Sequence, residues 1–206
     1  MTLVSEHIES DTRERILVVA ERLFRQIGYQ KTTVADIAKE LRMSPANVYR
    51  FFESKKAIHE GVARALMGEV EGEAQRIARA EGPAAARLRE MMKTIHRMNR
   101  ERYVGDSKLH EMVAIAMEED WDVCVAHMEL ITETIGSVIA QGAATGEFEV
   151  ADVPLAAMCA CTGMIRFFHP QMIAQCANKP GPSIDEMIDF VIAGLSPHAK
   201  GVVKAR

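Results

Sequence analysis

Side chains suited to reading double-stranded DNA are gathered between residues 44 and 50. Asn47 and Arg50 carry the donors and acceptors that proteins use to recognise adenine and guanine edges. Small side chains at the start of a helix let it approach base edges closely, and three small residues precede this pair: Ser44, Pro45 and Ala46. The pattern predicts direct readout of bases in the major groove.

A second set of side chains suits the phosphate oxygens of DNA. It consists of Thr32, Thr33, Tyr49 and Lys55. Hydroxyl and ammonium groups of this kind commonly bond to phosphates and so orient a protein on the duplex. Thr33 and Lys55 also stand where helices are predicted to begin, and the free N–H groups of a helix start favour anions.

Two short helices joined by two or three residues are predicted across 33–52, which is the spacing of a helix-turn-helix. Thr33 begins the first, because Asp36 three residues later completes a capping box. Ser44 begins the second, with Pro45 at its first position. The shared apolar seam is Ile37, Ala38, Leu41, Val48 and Phe52. Spacing alone leaves an alternative open, because short amphipathic helix pairs also occur in proteins that never touch DNA.

Longer helices flank this pair. The preceding helix is expected to begin at Asp11, which has capping-box spacing to Glu14, and to end at Gly28 in a left-handed conformation. The following helix is expected to begin after Ser54 and to run over about 55–80. Residues 1–54 would then form a three-helix domain.

The charge of the chain is unevenly distributed. The total is −4, from 25 Lys and Arg against 29 Asp and Glu, which argues against a generally sticky nucleic-acid binder. Residues 31–56, however, hold six basic against three acidic residues, whereas residues 61–206 hold 15 against 20. A weakly basic segment therefore coincides with the predicted helix pair, and binding should depend on shape and specific contacts more than on charge.

The rest of the chain is also predicted to be helical. Valine, isoleucine and threonine never cluster in alternating runs, and 3.6-residue periods dominate, which favours an all-α protein. Further helices are expected at about 84–102, 106–119, 120–144, 152–177 and 183–195. Pro170 should kink or split the helix that contains it.

A methionine-rich C-terminal region suggests a pocket for an apolar or aromatic ligand, because flexible thioethers adapt to varied shapes. The alternative, a plain hydrophobic core, is the better interpretation of any single methionine. The residues that we first expect to line a pocket and orient a ligand are Met98, Tyr103, Met117, Trp121, Met164, Arg166, Phe168 and His169.

The last predicted helix, 183–195, is capped by Ser183, with Glu186 three residues on. Its apolar face is wider than intramolecular packing at the edge of a small domain requires. Together with part of 152–177 it could form an isologous four-helix interface between two copies of the chain. Packing within one chain alone is the alternative.

No catalytic or metal-binding pattern is found. Cys159 and Cys161 would lie about 200° apart around a helix, so they can hardly bind one ion, and no Cys-x-x-Cys or His pair at i,i+4 occurs. The cysteines are expected to be reduced, buried small hydrophobes. No cofactor, metal ion or enzyme activity is expected. No apolar run approaches the roughly 20 residues of a membrane helix, so we expect a cytoplasmic protein without membrane contact.

Thr12–Met67 resembles the DNA-binding domain of TetR/AcrR transcriptional regulators. The resemblance is carried by Ile16-Leu17, Ala20, Leu23-Phe24, Gly28-Tyr29, Thr32-Thr33-Val34, Ile37-Ala38, Ser44-Pro45-Ala46-Asn47-Val48-Tyr49-Arg50-Phe51-Phe52 and Ser54-Lys55. It implies a homodimer whose N-terminal helix-turn-helix domain, 1–54, binds DNA. It also implies that the larger helical domain, 55–206, dimerises through its last two long helices and holds a ligand cavity.

Position by position, the resemblance implies DNA contacts at Thr33, Ser44, Pro45, Ala46, Asn47, Tyr49, Arg50 and Lys55. Two positions depart from the family pattern. Arg42 stands where the turn usually has glycine, so it is expected to adopt a left-handed conformation that costs about 1–2 kcal/mol. Phe51 replaces a frequent histidine, which removes one possible donor to phosphate.

These observations predict a ligand-responsive repressor that binds a near-palindromic operator as a dimer and is released by a small apolar or aromatic effector. Two rival functions stay open at this point. One is an all-α enzyme with an active site in the C-terminal pocket, and the other is an architectural DNA-binding protein without an effector.

Overall fold

The structure, a computed structural model, describes residues 2–103, 108, 112, 115, 116 and 122–197, with side chains from residue 9 onward. Within these ranges the regular structure is entirely helical, which confirms the predicted fold class. The helices are α1 (Thr2–Ile27), α2 (Val34–Glu40), α3 (Pro45–Tyr49), α4 (Lys55–Ala78), α5 (Ala84–Tyr103), α6 (Asp122–Ala144), α7 (Val153–Gly163), α8 (Ile165–Phe168), α9 (Pro170–Cys176) and α10 (Ile184–Leu195).

Side-chain caps begin several helices at the predicted residues. The Ser54 hydroxyl accepts a hydrogen bond from the Ala57 N–H at 3.0 Å. At the start of α10, Ser183 Oγ accepts from the Glu186 N–H at 3.2 Å, and the Glu186 carboxylate accepts from the Ser183 N–H at 2.7 Å. These bonds satisfy N–H groups that have no partner within the helix itself.

Two predicted helix boundaries were wrong. α1 begins at Thr2, not at Asp11, which lies within the helix. No glycine or proline stands between Thr2 and Asp11, so nothing in that stretch stops the helix from extending. The helix predicted over 152–177 is three helices: the break at Pro170 was predicted, whereas the break at Met164, after Thr162 and Gly163, was not. The helix predicted over 106–119 lies mostly outside the described residues.

The chain divides into two compact units. The first comprises 1–69 and 101–127, and the second 70–100 and 128–206. α4, α5 and α6 each contribute residues to both units, because the divisions fall within these helices. The boundary at 54/55 that the sequence suggested for a DNA-binding domain stays a prediction, since 55–69 belongs to the same compact unit as α1–α3.

The core of the first unit contains the predicted helix-turn-helix seam. Ile37, Ala38, Val48 and Phe52 are buried, and Leu41 packs against them partly buried. α1 and α4 complete this core with Ile16, Ala20, Phe24, Ile58 and Val62. Burial of these side chains holds two helices that are too short to be stable alone.

The core of the second unit is built from the facing sides of α4–α8 and α10. Its fully buried large side chains are Leu88, Met91, Met92, Ile135, Ile139 and Met164. α6 is by length and composition the one helix in the described ranges that could cross a membrane, but a core helix of a soluble protein passes the same test. Its Ile135 and Ile139 have no solvent exposure and belong to this core, while 33% of its most apolar 18-residue window is buried.

Candidate nucleic-acid interface

α2 is held at its start by the predicted capping box. The Thr33 hydroxyl accepts from the Asp36 N–H at 3.1 Å, and the Asp36 carboxylate accepts from the Thr33 N–H at 2.9 Å and from its hydroxyl at 2.6 Å. The hydrogen bonds from Thr33 lower the pKa of Asp36. Thr33 is exposed, so its backbone and side chain mark the edge of the unit where α2 begins.

The turn between α2 and α3 is the sharp left-handed turn that the sequence predicted at Arg42. Arg42 has φ of 55°, the only positive φ of a non-glycine residue in the described ranges. The Met43 N–H donates to Ala38 O at 2.8 Å and the Arg42 N–H to Lys39 O at 3.1 Å, the hydrogen-bond pattern of a Schellman motif. This turn directs the chain into α3 within four residues of the end of α2.

α3 has the local structure expected of a DNA-recognition helix. Ser44 Oγ accepts from the Asn47 N–H at 3.2 Å, and Pro45 occupies the first helical position. Val48 has no solvent exposure and attaches the helix to the core. The other side of the helix faces solvent, with Ser44, Pro45, Ala46, Tyr49 and Arg50 exposed and Asn47 half-buried.

Three of the side chains predicted to contact DNA lie on α3 or directly after it. Tyr49 is 50% exposed. The Arg50 guanidinium lies at the end of α3 with Nη1 3.5 Å from Asn47 Oδ1, a distance at the limit of a hydrogen bond. The two predicted base-reading side chains are therefore adjacent, and the hydrogen bond between them is weak.

Lys55 is held more firmly than a free surface lysine. Its Nζ donates to Gln30 O at 3.2 Å and lies 4.3 Å from the centroid of the Tyr29 ring. A cation over an aromatic face at this distance is attracted to it. Burial lowers the pKa of the Lys55 ammonium. The lysine predicted to contact phosphate is thus fixed against the loop that leads to Thr33.

A small aromatic cluster lies behind Lys55. His59 has no solvent exposure, and its ring centroid lies 4.1 Å from that of Tyr29 and 5.6 Å from that of Phe24. Burial, and secondarily the charge of Lys55, lower the pKa of His59 from 6.5 to about 3. His59 is therefore neutral at physiological pH, which avoids a second positive charge next to Lys55.

Thr32 does not lie on the exposed surface as the sequence suggested. It is 1% exposed, and its hydroxyl donates to Gly28 O at 2.8 Å. Sequence spacing could not distinguish it from Thr33, because both are hydroxyl residues beside a helix start. We therefore remove Thr32 from the expected phosphate contacts and assign it to the turn after α1.

Two arginines that the sequence did not single out attach the helix pair to α1. Arg13 Nη1 donates to Phe51 O at 2.8 Å, and its guanidinium carbon lies 4.2 Å from the centroid of the Phe52 ring. Arg22 forms an ion pair with Glu40 at the end of α2. No local sequence signal marks these contacts, because Arg13 and Phe51 are 38 positions apart in the sequence.

The residues expected to line a ligand pocket fall in different places. Met164 and Phe168 are buried in the core of the second unit, with Met98 packed against it. Tyr103 is 6% exposed in the core of the first unit, where burial raises the pKa of its hydroxyl. Met117 and Trp121 lie outside the described residues.

Two other predicted ligand residues, Arg166 and His169, stand near the breaks between α7, α8 and α9. Arg166 Nη2 donates to Cys176 O at 3.3 Å and to Lys179 O at 2.9 Å, so it holds the loop after α9. His169 is half-buried at the junction of α8 and α9. Arg166 therefore bonds to two backbone carbonyl groups in and after α9. A role in ligand binding stays a prediction for both Arg166 and His169.

The cysteines differ from one another in burial, contrary to expectation. Only Cys161 is buried, Cys159 is exposed, and Cys124 and Cys176 are half-buried. All four are free thiols. Within the described residues, no three His, Cys, Asp or Glu side chains are gathered in a way that could hold a metal ion.

Two family models match the chain. A model of the tetR family of bacterial regulatory proteins matches residues 16–62. A model of the tetracyclin repressor-like C-terminal domain matches residues 84–187, half of the chain. The first match covers the capped helix pair described above, and the second covers most of the second unit.

Similarity to individual proteins agrees with these matches. One relative is the biofilm operon icaADBC HTH-type negative transcriptional regulator IcaR of Staphylococcus aureus (strain Newman). The two sequences are 42% identical over 48 residues, and this stretch is 23% of this chain and 26% of that protein. The chain thus matches only about a quarter of the length of this relative.

Two solved structures have a similar fold over most of their length. One is a transcriptional regulator of the TetR/AcrR family from Thermobifida fusca YX-ER1, at 23% identity and a TM-score of 0.58 over 89% of this chain and 95% of that one. The other is a regulator from Saccharomonospora viridis in complex with choline, at 22% identity and a TM-score of 0.63 over 88% and 94%.

Proposed function

Because the chain belongs to the tetR family of bacterial regulatory proteins, we propose that it is a ligand-responsive transcriptional repressor and not an enzyme. As a dimer in the cytoplasm it binds a near-palindromic DNA operator, and a small apolar or aromatic effector releases it. The similarity to a negative regulator supports the sign of regulation, although that similarity is confined to 48 residues.

The observation that carries this proposal is the outward face of α3. Ser44, Pro45 and Ala46 are small and exposed, and Asn47 and Arg50 follow them with the groups that read adenine and guanine. Val48, with no exposure, fixes the opposite side of the helix to the core. A short helix anchored by one face, with small and polar groups on the other, fits the major groove.

The positions of Thr33, Tyr49 and Lys55 support phosphate contacts on either side of that groove. Each belongs to a different element: Thr33 to the start of α2, Tyr49 to α3 and Lys55 to the start of α4. Contacts from three elements would fix the angle of α3 on the duplex. In a dimer, two copies of α3 would enter successive major grooves about 34–36 Å apart, or further apart for a longer operator.

The DNA-binding proposal is tested by selecting genomic fragments that bind the full-length protein and then measuring operator affinity by gel shift. Tyr49→Ala and Lys55→Ala should each weaken binding. Lys55→Ala should also reduce the slope of log affinity against log salt by about 1, because one phosphate contact is lost. Lys179→Ala, an exposed lysine of the second unit, is the matched control and should bind like wild type. Unchanged operator binding in both variants at physiological salt would refute this placement of the interface.

Dimerisation is supported by an exposed apolar face on α7 and α10. Phe190 is 75% exposed, Met158 57% and Leu155 54%, and Cys159 is exposed beside them. Residues of α7 and α10 also line a groove of about 210 Å³ that contains Phe190 and Gly194. Contiguous exposed apolar side chains on one face favour contact with another protein surface, and a self-complementary patch favours a twofold dimer.

Phe190→Glu tests this interface, because a charge at its centre would have to be desolvated in the dimer. We expect the variant to elute and scatter light as a monomer at micromolar concentration and to bind the operator weakly. Val18→Glu, which introduces the same charge at a 61% exposed position of α1, is the control and should stay dimeric. A dimeric Phe190→Glu protein would contradict the proposed interface.

The effector is proposed to bind in the second unit, among methionines and aromatic residues that include Met98, Met164 and Phe168. The Saccharomonospora viridis protein of similar fold was solved with choline, which supports a small molecule as the effector class. A coupling free energy of about 1–3 kcal/mol would change operator affinity by 5–150-fold. Thermal unfolding in the presence of a panel of apolar and aromatic metabolites tests this proposal, because a ligand of the native state raises the melting temperature. An architectural DNA-binding protein would respond to none of them.

A further inference from the structure

We propose that Arg13 of α1 is a positioning residue that fixes the recognition helix α3 on the domain without contacting DNA itself. The inference rests on the proposed DNA-binding function and adds to it a residue outside the helix-turn-helix. It also identifies α1 as the element that sets the angle at which α3 is presented.

The turn that follows α3 is the place where a contact from another helix can hold the recognition helix in position. The helix has five residues, Pro45–Tyr49, and helices of this length are not stable alone. Its start is capped by Ser44 and its middle is anchored by Val48. After Tyr49 the chain turns through Arg50, Phe51 and Phe52, and the N–H groups of Phe51 and Phe52 both donate to Val48 O, at 3.0 and 3.1 Å. The carbonyl group of Phe51, two residues beyond the helix, accepts a hydrogen bond from outside this turn.

Arg13 makes two contacts with the turn that follows α3. Its Nη1 donates to Phe51 O at 2.8 Å, while the guanidinium lies over the Phe52 ring with its central carbon 4.2 Å from the centroid. Phe52 is itself 2% exposed and part of the core. One planar group therefore bonds one residue and stacks on the next, which an ammonium group cannot do in the same way.

α1 is a suitable support for this contact. Arg13, Ile16 and Ala20 recur at i, i+3 and i+7, so they share one face of the helix, and Ile16 and Ala20 have no solvent exposure. Further along α1, Arg22 pairs with Glu40 at the end of α2. The same helix thus contacts the end of α2 through Arg22 and the turn that follows α3 through Arg13.

The experiment compares operator DNA with random DNA of the same length, using fluorescence anisotropy with the full-length protein at several salt concentrations. Arg13→Gln should reduce operator affinity by about tenfold, the effect of a bond to a charged group partly exposed to solvent. Affinity for random DNA should stay within twofold of wild type. The slope of log affinity against log salt should stay within 0.3 of the wild-type slope. Arg15→Gln changes an exposed arginine of the same helix and should have no effect.

Arg13→Lys separates positioning from a direct phosphate contact. A lysine keeps the positive charge but lacks the planar guanidinium group. A positioning role therefore predicts that Arg13→Lys binds the operator as weakly as Arg13→Gln. A phosphate contact predicts instead that Arg13→Gln lowers the salt slope by about 1 and that lysine restores both slope and affinity. That result would overturn the proposal, as would operator affinity within twofold of wild type in Arg13→Gln.

Folding and the underlying function are controlled independently. Circular dichroism and melting temperature show whether each variant is folded at the assay temperature, and a change that merely lowers stability would leave affinity unchanged there. If Arg13→Gln does not fold, Arg13→Lys and Phe52→Leu, which removes the ring beneath the guanidinium, carry the same comparison. Failure of the wild-type protein to select any DNA would refute the proposed function, whereas normal wild-type binding with unaffected variants would refute only the role of Arg13.

Discussion

His59 should make the first unit sensitive to mildly acidic pH. The side chain has no solvent exposure, and burial together with the charge of Lys55 lowers its pKa from 6.5 to about 3. In the unfolded chain His59 takes up a proton as the pH falls below about 6.5, whereas in the folded chain it does not until about pH 3. Between these values the unfolded state binds more protons, so the free energy of unfolding must fall as the pH falls.

The expected magnitude follows from the two pKa values. Between pH 7.5 and pH 5.0, protonation of His59 in the unfolded chain alone lowers the free energy of unfolding by about 2 kcal/mol. The loss would continue at about 1.4 kcal/mol per pH unit and level off near pH 3. Above about pH 7.5 the contribution is constant. The pKa of Asp36 is lowered from 3.8, so Asp36 changes the free energy of unfolding only in more acidic solution. It therefore does not affect the comparison between pH 7.5 and pH 5.0.

The assay is urea unfolding followed by circular dichroism at pH 7.5 and 5.0, with hydrogen exchange of α1 and α4 as a local measure of the first unit. The comparison protein is His59→Phe, which keeps an aromatic ring beside Tyr29 and Phe24 but does not titrate. Any packing change in this variant is common to both pH values, so it cancels in the difference. The other histidines are present in both proteins and cancel as well.

Wild type should lose about 2 kcal/mol more than His59→Phe between the two pH values. Equal losses in the two proteins would refute the reasoning, because they would mean that His59 is protonated as easily in the folded chain as in the unfolded one. A loss confined to the second unit in hydrogen exchange would refute it equally, since His59 lies in the core cluster of the first.

Two further predictions concern backbone and packing. Arg42→Gly should raise the free energy of unfolding by about 1 kcal/mol in urea titrations. The substitution relieves the left-handed strain at φ of 55°, and part of that gain is lost to the greater chain entropy of glycine in the unfolded state. Arg42→Ala keeps the strain and should show no gain. Gly142→Ala should destabilise the second unit by about 1–3 kcal/mol, because the new Cβ would lie 2.3 Å from Phe148 Cδ2. Its control, Gly72→Ala, meets no atom within 4 Å and should stabilise α4 slightly, and equal melting temperatures for these two glycine variants would contradict the packing argument.

Local signals in the sequence predicted most of the helix starts and the turn of the helix pair. The caps at Thr33, Ser44 and Ser183 involve groups three residues apart, so their partners can be identified from spacing. The same is true of Gly28, whose positive φ follows from its place after a helix, whereas the positive φ of Arg42 was expected from the family resemblance. Within the described residues the start of α1 and the break at Met164 were missed, because no strong local signal marks them.

The candidate interface was predicted in part. Its exposed core at 44–50 was predicted because the seam residues alternate with outward ones at helical spacing. Thr32 was assigned to the interface together with its neighbour Thr33, but Thr32 is buried and Thr33 is exposed. Residue type and spacing do not show which of two adjacent threonines faces the core. The ligand residues were predicted from type alone, and type does not decide which core a side chain joins, as Tyr103 demonstrates.

By itself, the sequence determined that this chain is helical, that it carries a capped helix-turn-helix and that a weakly basic segment lies there. These properties depend on contacts within a few residues, which spacing and residue type encode directly. Only the tertiary structure decided that Lys55 is fixed on Gln30 and Tyr29, that His59 is buried behind them and that Arg13 holds the end of α3. Those contacts join residues 25 to 38 positions apart, and their geometry exists only once the helices have packed around a common core.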